Sequence, residues 1–207
     1  MSSNRLKQGL QDSESSRKMQ THKADAHLLK VNNQLSEEIT LLRLRVLELE
    51  QAANTDPLVP IFNRRAFLRE VEKAQSVAER YNIVSTLVFF DLNDFKRVND
   101  KYGHRIGDNL LLKIGNVLKT SIRDCDMVAR LGGDEFGVLL FKTEVEIAKI
   151  KAAALSCRIA DQHVLFPGSR VSVSAAWGVA SCDPNKEVAQ ILDRADRSMY
   201  LDKYQKT

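Results

Sequence analysis

Four leucines spaced seven apart, Leu28, Leu35, Leu42 and Leu49, commit the early part of this chain to a helix with one face in need of a partner. A strand would send successive members of the series to opposite faces, whereas a helix wound at 3.5 residues per turn lines all four along one seam. With the leucines at d, Asn32, Ile39, Val46 and Ala53 fall at a. Leu at d with β-branched residues at a favours a parallel two-stranded coil, and one Asn at a fixes its register. In such a dimer Glu38 at g faces an Arg43 at e across the seam, and Arg45 faces a Glu50, both attractive pairings. The competing arrangement is a single amphipathic helix packed on its own domain. Four heptads make a short coil, so support from the domain that follows is expected.

The rest of the chain divides around that helix. Residues 1–23 are polar and without hydrophobic periodicity, a composition expected to stay disordered. Residues 24–54 form the coil and residues 55–207 the folded domain. At 43% hydrophobic, the 207 residues can bury one good core with an appendage left over. The net charge of +4 suits an anionic ligand or nucleic acid but is too mild to choose between them. No apolar run approaches a membrane span, and Met1 to Arg5 open no signal peptide. Cys125, Cys157 and Cys182 are odd in number and lack metal-ligand spacing, so they read as reduced packing thiols of a cytoplasmic protein.

Beyond the coil, Asn54-Thr55-Asp56-Pro57 carries capping residues and a first-turn proline, which predicts a helix over 56–81. A buried strand is expected from Ile83 to Asp91, then helices at 95–102 and 107–122. A hairpin around 127–140, a helix at 144–162, a strand at 171–181 and a closing helix from Glu187 complete the order. That alternation predicts an α/β sandwich, palm-like, with a central mixed sheet flanked by helices.

Two segments carry chemistry. Arg130-Leu131-Gly132-Gly133-Asp134-Glu135-Phe136 places two acids at the tip of the hairpin, where Gly-Gly gives backbone freedom for a tight turn. Alone, this reads equally as a soluble acidic tip. Upstream, Asp91-Leu92-Asn93-Asp94-Phe95-Lys96 ends a buried strand in an acid and opens a helix. A carboxylate there can hold a divalent cation, the free amides of the helix start can hold phosphate, and Lys96 can neutralise it. Two separated carboxylates at one sheet edge make the kind of site in which a metal orients a triphosphate.

The run from Asp91 to Asp108, together with Gly132-Gly133-Asp134-Glu135-Phe136 and Asn63-Arg64-Arg65, closely resembles the GGDEF domains of bacterial diguanylate cyclases over about residues 55–204. The resemblance implies condensation of two GTP into cyclic di-GMP with release of two pyrophosphates, by a homodimer, with neither nucleic acid nor a membrane span involved. It implies Mg²⁺, with Mn²⁺ as the alternative, on Asp91, Asp134 and the Leu92 carbonyl. Glu135 would assist the metal or activate the 3′-hydroxyl. The backbone at Asn93, Asp94 and Phe95, with Lys96 and Lys203, would hold phosphates. Gly132 and Gly133 would let the backbone approach them. Asn99 and Asp108 would read guanine, since a carboxylate accepts from N1–H and N2–H and an amide can donate to O6 or N7. Without the resemblance, Asn99 reads as a helix C-cap and Asp108 as an N-cap. His104 reads as structural, and Trp177 as core in preference to a stacking platform.

Arg123-Asp124-Cys125-Asp126 contains Arg-x-x-Asp six positions before Gly132. In the family this placement implies an allosteric site at which product inhibits, on Arg123 and Asp126; the alternative is a surface ion pair. The chain departs from the family in having Leu58-Val59-Pro60 for Leu-Thr-Gly, and in ending at Lys206-Thr207 where Gly-Arg-Asn is usual. The second departure implies weaker phosphate holding or a truncated chain. The rival readings are a catalytically inactive cyclic di-GMP receptor and a dimerising signalling module.

Overall fold

The computed structural model of the protein describes residues 30–205, with side chains through Met199. Leu28 and the side chain of Lys203 lie outside the described residues. The chain forms two units, Met1–Gln51 and Ala52–Thr207. Helix α1 (30–54) ends at Asn54. Within it Asn32 and the seam residues Leu35, Ile39, Leu42, Val46 and Leu49 are all exposed in the single chain. Ser36 and Thr40 donate their hydroxyls to the carbonyls of Asn32 and Ser36, one turn back. Among the described residues no helix is long and apolar enough to cross a membrane.

The second unit is built on β2 (Thr86–Leu92), a strand buried along nearly its whole length. Its residues alternate between two cores. Val88, Phe90 and Leu92 point into a cluster with Leu110, Ile114 and Leu155 from α4 (His104–Thr120) and α5 (Val145–Ala160). Leu87 and Phe89 point the other way, toward Phe67 and Val71 of α2 (Arg64–Tyr81) and Ile191 and Met199 of α6 (Val188–Gln205). Five strands form the sheet in the order β1-β3-β4-β2-β7, with β1 (Phe62–Asn63) parallel to β3 (Met127–Arg130). The pairs among β3, β4 (Glu135–Leu140), β2 and β7 (Ala175–Ser181) are antiparallel. A short helix α3 (Phe95–Tyr102) follows β2. The result is the expected mixed central sheet between helices.

Expected elements differ in detail, the strand foreseen from Ile83 beginning at Thr86. The helix foreseen from Asp56 starts instead at Arg64, capped by Asn63, whose Oδ1 accepts from the Ala66 amide at 3.0 Å. Asp56 caps a turn, its Oδ1 accepting from the amides of Leu58 and Val59 at 3.0 and 2.8 Å. Val59 and Ile61 are buried there, and that packing outweighs the local helix signal. The helix expected from Gly107 begins at His104, directly after Gly103. The strand expected over 171–181 splits into β6 (Ser169–Val171) and β7, and β6 pairs with β5 (Val164–Phe166) in a separate hairpin turning at Gly168, φ +77°. The three cysteines are free thiols. Cys125 and Cys157 are exposed, while burial pushes the Cys182 thiol up to about 12.

Candidate active site

Strand register assembles the acids. Asp91 of β2 sits opposite Glu135 of β4 and, on the other side, Ala176 of β7. The β3–β4 turn closes with the Leu131 amide donating to the Glu135 carbonyl at 2.8 Å. The Leu92 amide donates to the Asp134 carbonyl at 3.2 Å, which fastens the turn to the end of β2. Asp91 and the adjacent pair Asp134 and Glu135, more than forty residues apart in the chain, thus meet at one end of the sheet.

Burial raises the Glu135 carboxyl above its ordinary value. Arg64 opposes that shift, while Asp91, Asp134 and Asp196 add to it. A carboxyl raised in the folded state binds more protons there than in the unfolded chain. Its ionisation therefore costs stability as pH rises from the ordinary Glu range through the raised value. Glu135→Gln is expected to raise the melting temperature of the metal-free protein at neutral pH, and the gain should vanish once pH falls below the ordinary Glu range. Thermal unfolding in chelator across pH 4–8 checks this.

Neither glycine of the turn has positive φ, so the backbone freedom expected of them is not what they supply. A Cβ on Gly132 would come within 2.5 Å of Glu135 Oε2; this glycine makes room for the carboxylate. Gly133 faces open space. The turn is held instead by Arg130, to which sequence reasoning gave no task. Its Nε and a terminal nitrogen donate to the Gly133 carbonyl at 3.2 and 2.8 Å, and its other terminal nitrogen reaches Asp56 Oδ1 at 3.2 Å. Both partners of this ion pair are largely buried, so the turn is tied to the 56–61 segment. The position of Arg130, directly ahead of the Gly-Gly motif, was its only sequence signal.

A cavity of about 480 Å³ opens between α2, α6 and the strands. Arg64, Glu72, Asp91, Glu135, Asp193 and Asp196 supply its polar lining. Arg64 also donates to the Leu131 carbonyl at 3.4 Å. Asp193 and Asp196 were missed in sequence because nothing in the helical pattern of α6 tells which face meets this end of the sheet.

The turn after β2 divides its amides. Asn93 donates its backbone N–H to the Ser174 carbonyl at 2.9 Å and its side-chain amide to Ser174 Oγ at 2.8 Å, so this backbone amide is not available to phosphate. Asp94 adopts φ +56° and starts α3 without a side-chain cap bond. The amides of Asp94, Phe95 and Lys96 precede the first intrahelical acceptor, which is the Asp94 carbonyl. Phe95 is buried and Lys96 exposed.

At the far end of α3, the Asn99 side chain meets the first turns of α4, next to Asp108 in sequence. Asn99 is not the C-cap and Asp108 is not an N-cap, since Gly103 holds both positions between α3 and α4. The Asn99 side chain lies over Gly107, where a Cβ would stand 2.0 Å from its Oδ1. His104 opens α4 and is exposed, and Trp177 is partly buried against the core. In the Arg-x-x-Asp segment, Asp126 accepts from the amides of Arg123 at 3.2 Å and Phe141 at 3.1 Å. It binds backbone in place of the Arg123 guanidinium, and Arg123 is exposed.

The donors at this end of the sheet fit a hard divalent cation. Two carboxylates and a backbone carbonyl are all oxygen, and Mg²⁺ is commonly held by one or two carboxylates with the remaining positions left to phosphate and water. Among the described residues no group of three or more His, Cys, Asp or Glu is arranged to hold a metal ion.

Comparison with known proteins identifies the family. A family model described as "Diguanylate cyclase, GGDEF domain" matches residues 53–207. The probable diguanylate cyclase DgcE of Escherichia coli (strain K12) is 33% identical over 168 residues, which cover 81% of this chain and 15% of that protein. The crystal structure of the diguanylate cyclase SiaD from Pseudomonas aeruginosa, in complex with its activator SiaC, is similar with a TM-score of 0.76. Identity is 27%, over 98% of this chain and 78% of that one. The coiled coil and GGDEF domain of DgcB from Caulobacter crescentus, in complex with c-di-GMP, share the fold with a TM-score of 0.78 at 22% identity. That match covers 86% of this chain and 95% of the other. The chain spans half or less of the length of the curated relatives it matches.

Proposed function

Because this chain belongs to the GGDEF-domain family, we propose that it is a diguanylate cyclase, condensing two GTP into cyclic di-GMP and two pyrophosphates. The observation that carries the reading is the register setting Asp91 against Glu135, with Asp134 tied to Leu92 beside them. Asp91, Asp134 and the Leu92 carbonyl would hold Mg²⁺ or Mn²⁺, which offsets charge on the triphosphate. The amides of Asp94 and Phe95, with Lys96 and Lys203, hold the phosphates; Asn93 anchors their turn to Ser174. Asn99 and Asp108 hold guanine, while Gly132 leaves room for the Glu135 carboxylate.

In each half-reaction the 3′-hydroxyl oxygen of one GTP attacks the α-phosphorus of the other, and pyrophosphate leaves. Glu135 is suited to take the hydroxyl proton, since its surroundings raise its proton affinity. One domain binds one GTP, so two domains must face each other. The exposed seam of α1 supports a parallel coil that keeps two copies at high local concentration. Arg123 and Asp126 form the inhibitory product site, with Asp126 fixing the loop and Arg123 left to contact phosphate or guanine.

Purified protein incubated with GTP and Mg²⁺, followed by chromatography of the products, tests the activity. Formation of cyclic di-GMP supports it, while GTP or cyclic di-GMP binding without turnover supports the receptor reading. Leu35→Pro with Leu42→Pro is expected to abolish synthesis while leaving GTP binding to the folded domain intact. Wild-type turnover by such a monomer refutes the dimer requirement.

A further inference from the structure

The β5–β6 hairpin stands outside the five-stranded sheet. Val164 and Val171 face each other at its base, 8% and 3% exposed, and root it in the core beneath α4 and α5. From that root it touches both helices of the α3–α4 pair. The Phe166 ring meets Tyr102, the last residue of α3, edge to face, with centroids 5.4 Å apart and planes at 66°. Lys113 of α4 donates its Nζ to the His163 carbonyl, next to β5, at 2.9 Å.

The two helices so bridged are joined by Gly103 alone, at φ +84°. The angle between them is held by the core that Phe95 and Val98 share with Leu110 and Leu111 and by the hairpin contacts across both helices. Asn99 lies three residues before Tyr102, on the same side of α3. Asp108 lies just past the Gly107 position that the Asn99 side chain covers. A tilt of α3 against α4 therefore changes the spacing of these two groups.

We propose that the β5–β6 hairpin braces the nucleobase-reading pair, and that Phe166 is a positioning residue acting through Tyr102 on Asn99 and Asp108. The inference rests on the reading that Asn99 and Asp108 hold guanine. Losing the ring contact lets the α3–α4 angle relax and misaligns the hydrogen bonds to the base, while leaving the acids at the end of the sheet in place.

The test compares GTP with inosine triphosphate, which lacks the 2-amino group, in binding and turnover by the full chain. Phe166→Ala should lower the preference for GTP about fivefold, the order of one lost hydrogen bond, with turnover at saturating GTP little changed. Phe166→Tyr should restore the preference. Leu165→Ala, at a neighbouring side chain 73% exposed, should leave it untouched. A merely structural role would weaken both nucleotides alike, and an unchanged preference in Phe166→Ala overturns the brace. If that variant does not fold, Phe166→Leu, which keeps the bulk and loses the ring, is held to the same criterion. Asp108→Ala, which removes the acceptor for the 2-amino group, separates the two levels. If it lowers the preference and the Phe166 variants do not, only the brace fails; if it does not, the guanine assignment fails and the brace with it.

Discussion

Asp134→Ala is expected to cut cyclic di-GMP synthesis about a thousandfold, the effect of losing several kcal/mol of charge stabilisation on the triphosphate. The variant should fold normally for a specific reason. The bond that ties this residue to β2 runs from the Leu92 amide to the Asp134 main-chain carbonyl, which alanine keeps. Only the carboxylate is lost, and its removal relieves repulsion on Glu135. Melting temperature unchanged or slightly raised, with product near background, is the expected pair of results. Substantial synthesis by this variant refutes the metal role of Asp134; a large drop in melting temperature refutes the backbone account of the turn.

The second large effect concerns stability. Gly178 lies in β7 opposite Phe89, where α6 crosses the sheet. A Cβ there would stand 1.9 Å from the Ala195 carbonyl oxygen and 2.6 Å from the Met199 nitrogen, both backbone atoms of α6. A helix backbone cannot yield as a side-chain tip can, so Gly178→Ala must lift α6 from the sheet. We expect a loss of about 3 kcal/mol in urea unfolding. The cavity side chains Asp193 and Asp196 would move with the helix. Gly133→Ala is the matched control: its φ is not positive and its Cβ position is open, so stability should hardly change. Equal effects at the two glycines would contradict this account.

Legibility in the sequence followed the range of the interactions. The run from Ile83 to Asp91 declares a buried strand because it is mostly apolar, β-branched or aromatic up to its closing acid, and the strand formed is Thr86–Leu92. Helix α3 matches its expected limits because Asp94 and Gly103 punctuate it locally. The 56–61 segment misled because its capping residues satisfy a turn as well as a helix, and Val59 and Ile61 decided between them by burial. Arg130 went unassigned because the Gly133 carbonyl reaches it only through the fold of the turn, and Asp56 only once β1 lies beside β3.

By itself the sequence determined the long helix ahead of the sheet and the residue types of the site. Heptad spacing, strand composition and the acids at Asp91, Asp134 and Glu135 are local patterns, and local patterns are set by covalent order. Tertiary structure decided which carboxylates meet and what restrains them. It gave Gly132 its use as space for Glu135, committed the Asn93 amide to Ser174, and brought the β5–β6 hairpin against the α3–α4 pair. Those outcomes depend on strand register and on packing between residues far apart in the chain, which no short window of sequence encodes.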